Sequence, residues 1–249
     1  MSKEKAYKLL ATQENISANK AKLYIDSGLV SIKGQKLTIA RVLVDSKSEF
    51  ALKPLPQTKV IFEDADILAV DKPAYQTAEQ TAKLFSKFIL LNRLDKETSG
   101  VMLFAKTKEF QKRAIQQFKK KAVYKEYIAV VHGKLVESLT MEQPISTTKG
   151  NTAKSRIDDK FGKPATTIAT PMFVEGKMSK IKVVIHEGRT HQIRVHLSSA
   201  GHPIVGDSLY GKNSANVRRV MLHSKKTKIF DYEFEAKEPR EFKLFGFGS

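Results

Sequence analysis

The sequence predicts an α+β fold with a largely antiparallel sheet, and three observations predict it. Apolar runs of strand length recur along the chain, as in Ile67-Leu68-Ala69-Val70 and Val101 to Ala105. Short acidic or glycine turns join neighbouring runs, so they read as hairpins. Two stretches carry a helical period instead, one after Thr107 and one after Thr190.

The first fifty residues form a small αβ unit of their own. Ala6, Leu9 and Leu10 share a helical face, and Ser17 is placed to cap a second helix running to Ser27 with Ala21 and Ile25 inward. Gly28 stands where a helix stops in a left-handed conformation. Leu29-Val30-Ser31-Ile32 follows as a strand, then the turn Lys33-Gly34 and a second short strand around Leu37 to Val44. Helix, helix, glycine-valine strand and glycine turn resemble an S4-like RNA-binding module over residues 5 to 45. Lys20 and Lys22 are expected on the exposed side of the second helix, open to phosphates or simply solvated.

Lys53-Pro54-Leu55-Pro56 favours extended chain, giving a domain at 1–50, a linker at 51–57 and a larger domain at 58–249. Val60-Ile61-Phe62 and Ile67 to Val70 flank the acidic turn Glu63-Asp64-Ala65-Asp66. From Thr107 a helix carries Phe110, Ala114 and Phe118 four apart, with Lys112, Arg113 and Lys119 to Lys121 around them. The lysine run reads equally as a solvated face or as an RNA-backbone contact. Tyr124 to Val131 is a strand on which Tyr127, Ala129 and Val131 share a face. Thr166 to Val174 and Lys180 to His186 bracket Glu175-Gly176-Lys177 as another hairpin. Thr190 is placed to cap a helix with Ile193, Leu197 and Ala200 inward, stopped by Gly201.

Composition bounds the partners. Lys plus Arg number 44 against 26 Asp plus Glu, a formal charge of +18 that favours a polyanion, because each phosphate neutralised releases condensed counterions. Cysteine is absent, which excludes disulfides, thiolate chemistry and Cys-based zinc sites. Charges interrupt the first eleven residues too often for a signal-peptide core, and no apolar run approaches a membrane span. A soluble, cytoplasmic protein, working as a monomer without contact to membrane, is the expectation.

Two stretches carry candidate chemistry. The first is Asn92-Arg93-Leu94-Asp95-Lys96-Glu97-Thr98-Ser99-Gly100, and the second is Gly188-Arg189-Thr190-His191-Gln192-Ile193-Arg194 with Gly206-Asp207 and Leu209-Tyr210-Gly211 beyond. Taken singly, Asp95 reads as a turn or cap aspartate, and Arg189 and Arg194 as cations at a helix start. As a pair ninety-odd residues apart, the two stretches resemble the RluA family of pseudouridine synthases, from about Val60 to Tyr232. The resemblance implies a pseudouridine synthase catalytic domain in which Asp95 is the catalytic aspartate. It makes Tyr127 the tyrosine that packs on the target base and Arg194 the arginine that pairs with the aspartate. It also implies that Arg93 enters the RNA stack and that Ile193 walls the pocket. Arg189 and His191 of the second motif join the RNA-facing candidates, with His191 satisfying a helix N-terminus or touching phosphate.

That reaction breaks the bond from ribose C1′ to uracil N1, turns the base and rejoins it through C5. No redox step is involved, so neither a cofactor nor a metal is expected. His186, His191 and His196 are spaced by five residues, which does not put them on one helical face. The target must leave the stack, at a cost of a few kcal/mol. An ionised carboxylate then acts at the ribose, attacking C1′ or removing a ribose proton. With an S4-like unit ahead of the catalytic domain, large-subunit ribosomal RNA is the first expected substrate and transfer RNA the second. A non-catalytic RNA-binding or ribosome-assembly factor is the reading from another class. Two features depart from the family pattern: Asn92 replaces a histidine, and the segment between Pro73 and Asn92 is short, as though a covering loop and helix were trimmed.

Overall fold

The computed structural model describes residues 2–37, 39–148, 154–211, 217 and 219–247. The chain divides into two compact units, Met1–Gln57 and Thr58–Ser249.

The first unit runs β1 (Lys3–Lys5), α1 (Ala6–Gln13), α2 (Ala18–Asp26), β2 (Val30–Ile32), β3 (Gln35–Leu37), β4 (Leu43–Asp45) and β5 (Phe50–Leu52). Ser17 caps α2 by accepting the Lys20 N–H, and Ala6, Leu10, Ala21 and Ile25 meet in a small core of their own. Lys33 and Gly34 both take positive φ, the mirror-image turn that suits a right-twisted hairpin between β2 and β3. The expected strand around Leu37 to Val44 is instead two, because β3 pairs with β2 and β4 with β1; Thr38 between them lies outside the described residues. Pairing of β5 with β2 carries this unit to Leu52, past the expected start of the linker. Lys20 is exposed, whereas Lys22 is half-buried with its ammonium 4.5 Å from the centre of the Tyr7 ring.

The second unit begins with β6 (Lys59–Glu63), β7 (Ile67–Lys72), α3 (Ala78–Leu84), β8 (Ile89–Leu90), β9 (Ser99–Ala105), α4 (Lys108–Lys119) and β10 (Tyr124–His132). It continues through β11 (Leu139–Met141), β12 (Ile145–Thr148), β13 (Lys154–Ile157), β14 (Thr167–Glu175), β15 (Met178–Ile185), α5 (Gln192–Ser199), β16 (Leu222–Ile229) and β17 (Tyr232–Glu235). A 3-10 helix at Arg240–Phe245 follows. Among the described residues, β11-β14-β15-β10-β16-β9-β7-β6 form one sheet, with β17 on β16 and β8 on β9. All of its pairs are antiparallel except β9 with β16.

The uninterrupted apolar runs are explained by burial on both faces. In β7 and β9, Leu68, Val70, Met102 and Phe104 enter one core, while Ile67, Ala69, Val101, Leu103 and Ala105 enter the other beneath Phe110 and Ala114 of α4. Thr107 caps α4 by accepting the Phe110 N–H.

Two local expectations fail. Thr190 does not cap α5; His191 takes the N-cap position in a left-handed conformation and makes no side-chain cap. The short segment after Pro73 still holds a helix, α3, closed by a reciprocal capping box between Thr77 and Gln80.

Candidate active site

The parallel pair at the centre of the sheet places the site. His223 and Ser224 of β16 lie opposite Ser99 and Gly100 of β9, and Ser224 also faces Tyr127 of β10. The approach at Gly100 is so close that an added Cβ would stand 2.1 Å from the Ser224 carbonyl oxygen, and its φ of +116° suits glycine. The loop that ends there, residues 91–98, therefore comes out beside Tyr127.

That loop is held from beneath. Asn92 accepts the Leu103 N–H through its side-chain oxygen, tying the loop to β9. Lys72, fully buried, donates from Nζ to the carbonyls of Pro73 and Gln76 and, at 3.4 Å, to that of Lys96. Arg219, also buried, donates to the Glu97 carbonyl and to Ser99 Oγ. Burial pushes the Lys72 ammonium down to about 7 and lowers the Arg219 guanidinium as well.

Asp95 is left partly open at the cleft, its side chain 29% exposed. Its Oδ2 is 3.3 Å from Arg194 Nη1 and 3.8 Å from His191 Nε2. Arg194 enters from the first turn of α5 and is almost wholly buried. Its main partner is Asp207, which sequence reasoning gave no role: Nε and Nη2 reach the two carboxylate oxygens at 2.7 and 2.9 Å. Asp207 also accepts the N–H groups of Leu209 and Tyr210. Burial opposes its charge, yet these hydrogen bonds and the guanidinium hold its carboxyl below the usual range. Burial likewise opposes the charge of Arg194, and the two aspartates more than restore it. The pairing of Arg194 with Asp95 is thus present, but as the weaker arm of a shared guanidinium.

His191 does not satisfy the helix N-terminus with its side chain. Its Nδ1 is 2.9 Å from Tyr210 Oη, and that hydroxyl accepts the Ser155 N–H. The phenol proton is then free to go to Nδ1, leaving Nε2–H directed toward Asp95. Burial lowers the imidazole pKa, which favours this neutral form.

Tyr127 is buried to 7% exposure and lines the same cleft. Burial, with a contribution from the charge of Asp95, pushes its phenol up to about 12, so it stays protonated. Ile193 and Leu222 add apolar wall to this cavity of about 960 Å³. At its rim Arg189 anchors on the Pro164 carbonyl through two N–H groups, and the exposed Arg93 pairs with Glu79 at 2.7 Å. The three histidines of the second motif region diverge: His186 meets the Lys121 carbonyl, and His196 is spent between Thr167 and the Gln143 carbonyl. Among the described residues, no three acidic or histidine groups converge as metal ligands, and no helix is long and apolar enough to cross a membrane.

A shared guanidinium, a half-open carboxylate and a buried phenol around one cleft can bind a planar base beside a sugar. Comparison with known proteins agrees with that chemistry. The family model described as RNA pseudouridylate synthase matches residues 59–199. The chain is 48% identical over 242 residues to an "uncharacterized RNA pseudouridine synthase" of Helicobacter pylori strain J99, covering 97% of this chain and 100% of that relative. It is 31% identical over 218 residues to ribosomal large subunit pseudouridine synthase C of Buchnera aphidicola, covering 76% and 69% of the two chains. The solved structure of human RNA pseudouridylate synthase domain containing 1 superposes with a TM-score of 0.64 at 28% identity, over 77% of this chain and 87% of that one. The chain therefore belongs to the RNA pseudouridylate synthase family and is an enzyme that isomerises uridine in RNA.

Proposed function

We propose that Asp95 is the catalytic carboxylate, that Tyr127 packs against the extruded base, and that large-subunit ribosomal RNA is the substrate. The observation that carries the reading is the placement of Asp95: of the carboxylates that line the cleft, Glu79 and Glu97 among them, it is the one 3.3 Å from Arg194, a guanidinium that the buried Asp207 holds from beneath. The remaining Arg194 N–H gives the Asp95 carboxylate a charged partner inside the cleft. Asp95 then acts at the ribose, by attack on C1′ or by removing a ribose proton. Tyr127 offers a ring whose stacking returns roughly 1–3 kcal/mol of the cost of extruding the base. Arg93, exposed at the rim, is free to enter the space the uridine leaves, and Arg189 and His191 meet the RNA around it. The reaction rearranges one nucleotide without adding or removing atoms or electrons, so a monomer carrying neither metal nor cofactor suffices.

The ribosomal substrate is supported by the named activity of the Buchnera relative, and the +18 charge suits RNA of either kind. The first unit acts as an S4-like module, with the exposed Lys20 meeting phosphate and the half-buried Lys22 braced on Tyr7 at its edge. Such a substrate places the enzyme in the cytoplasm.

The test is to map pseudouridines in all RNA from cells with and without the protein. Loss of one or a few sites in large-subunit RNA is the expected result. Loss confined to transfer RNA would overturn the substrate, and no loss anywhere would overturn the reading as a whole.

A further inference from the structure

Beside the Asp95 cleft lies a second cavity, of about 540 Å³. Arg93, Tyr127, Gly188 and Arg189 line both, so the two cavities adjoin. The second cavity has a built interior. Lys125 of β10 is 6% exposed and donates from Nζ to the Glu187 carbonyl at 2.5 Å, making no other hydrogen bond among the described residues. An ammonium carries three donors, and buried donors seldom go without partners. The Phe118 ring stands beside it, 5.8 Å from Nζ to the ring centre. At the mouth are Lys119 and Lys121 from the end of α4, together with Arg189. The one carboxylate present, Glu187, is already taken by Lys121 and by the Thr166 N–H, so the cavity stays cationic.

We propose that this cavity is a second nucleotide pocket, which receives the RNA residue flanking the target uridine. In it Phe118 packs against the flanking base, Lys125 donates to an acceptor on that base's edge, and Lys119 and Arg189 meet the adjoining phosphates. The volume is in the range of ligand sites, and the combination of ring, inward donor and cationic mouth is what a single unstacked nucleotide requires. Continuity with the Asp95 cleft favours a residue of the same strand over a free nucleotide. Burial lowers the Lys125 pKa to about 8, which still leaves it largely charged near neutrality. The enzyme would then extrude two neighbouring residues, and the identity of the second would help choose the site. The inference rests on the Asp95 cleft holding the target base.

The experiment uses the full chain and a stem–loop RNA carrying the uridine it converts. An abasic residue is placed in turn at each flanking position, and KM and kcat are measured. At one position the abasic residue should raise KM about tenfold, in line with the loss of one stacked base. Phe118→Ala should raise KM by a similar factor on intact RNA and be indifferent to that abasic residue. If Phe118→Ala does not fold, Phe118→Leu keeps much of the volume and lacks the aromatic face. Tolerance of every abasic position by the wild-type enzyme overturns the second pocket alone, as does a penalty that multiplies independently with the Phe118 change. Failure to convert any RNA overturns it together with the functional reading beneath it.

Discussion

Arg194 turns its two-pronged edge to Asp207, at 2.7 and 2.9 Å, and offers Asp95 a single N–H at 3.3 Å. The buried pair Arg194–Asp207 is therefore the mount, and Asp95 is the group presented on it. Arg194→Ala or Asp207→Ala leaves a buried charge unmatched and should each cost about 3–5 kcal/mol of stability. The double variant should lose clearly less than the sum. Urea denaturation of the four proteins checks this, and strict additivity would dissolve the mount. Asp207→Asn adds a pH test. The folded pKa of Asp207 lies below the unfolded value of about 3.9, so its contribution is complete above that value and is lost as pH falls through the folded one. The stability gap between wild type and Asp207→Asn should accordingly narrow progressively as pH falls below about 4.

Asp95→Asn keeps the shape of the side chain and removes its power to attack or to accept a proton. Pseudouridine formation should be abolished while RNA affinity stays within a few-fold of wild type. Turnover within tenfold of wild type would assign the chemistry to another group.

Tyr127 separates stacking from its hydroxyl. Tyr127→Leu should slow single-turnover conversion by about 5- to 150-fold, the equivalent of roughly 1–3 kcal/mol of base stacking. Tyr127→Phe should keep most of that. With the phenol held at about 12, the wild-type rate profile should show no limb from this tyrosine below pH 10. A basic limb that disappears in Tyr127→Phe would contradict the assignment.

Gly100→Ala introduces a methyl where the Ser224 carbonyl already stands, on a backbone with positive φ. Overpacking of this kind costs about 1–3 kcal/mol, occasionally more. Loss of activity should exceed the loss of stability, because the displaced strand end carries the Asp95 loop. A thermal melt and a conversion assay on one preparation compare the two, and an active but destabilised variant would uncouple the strand end from the site.

Removal of residues 1–57 should leave a folded second unit, since its two cores are distinct from the core of the first. RNA affinity should fall, and the slope of log affinity against log salt should flatten by about 0.7–0.9 for each phosphate no longer neutralised. An unfolded fragment would show that the two units depend on each other.

What is legible in the sequence follows the range of the interactions. The cap at Ser17, the start of a helix at Thr107 and the turn at Lys33-Gly34 are local, and each is where its residues put it. The runs in β7 and β9 are readable because burial on both faces leaves no polar interruption. The seven-residue α3 is too short to show a period. The meeting of Asp95 with Arg194, across 99 residues, comes only from the resemblance of two motifs, since Asp95 by itself reads as a turn residue. Asp207 escapes notice because a glycine-aspartate step looks like any turn until its burial is seen. Lys72 has the look of a solvated strand end, and what hides it is packing from residues far along the chain.

Lys72 and Arg219 grip the Asp95 loop through the carbonyls of Lys96 and Glu97 rather than through their side chains. Every amino acid supplies the same carbonyl, so drift at position 96, whose side chain is exposed, is invisible to the grip, whereas the Glu97 carboxylate also accepts the Val220 N–H. Evolution is thus free to vary the charge that this loop shows to RNA, exchanging one target for another while the carboxylate keeps its station. Constraint falls instead on two buried basic side chains, Lys72 and Arg219, and a survey of variants should find tolerance at the lip of the cleft and intolerance deep beneath it.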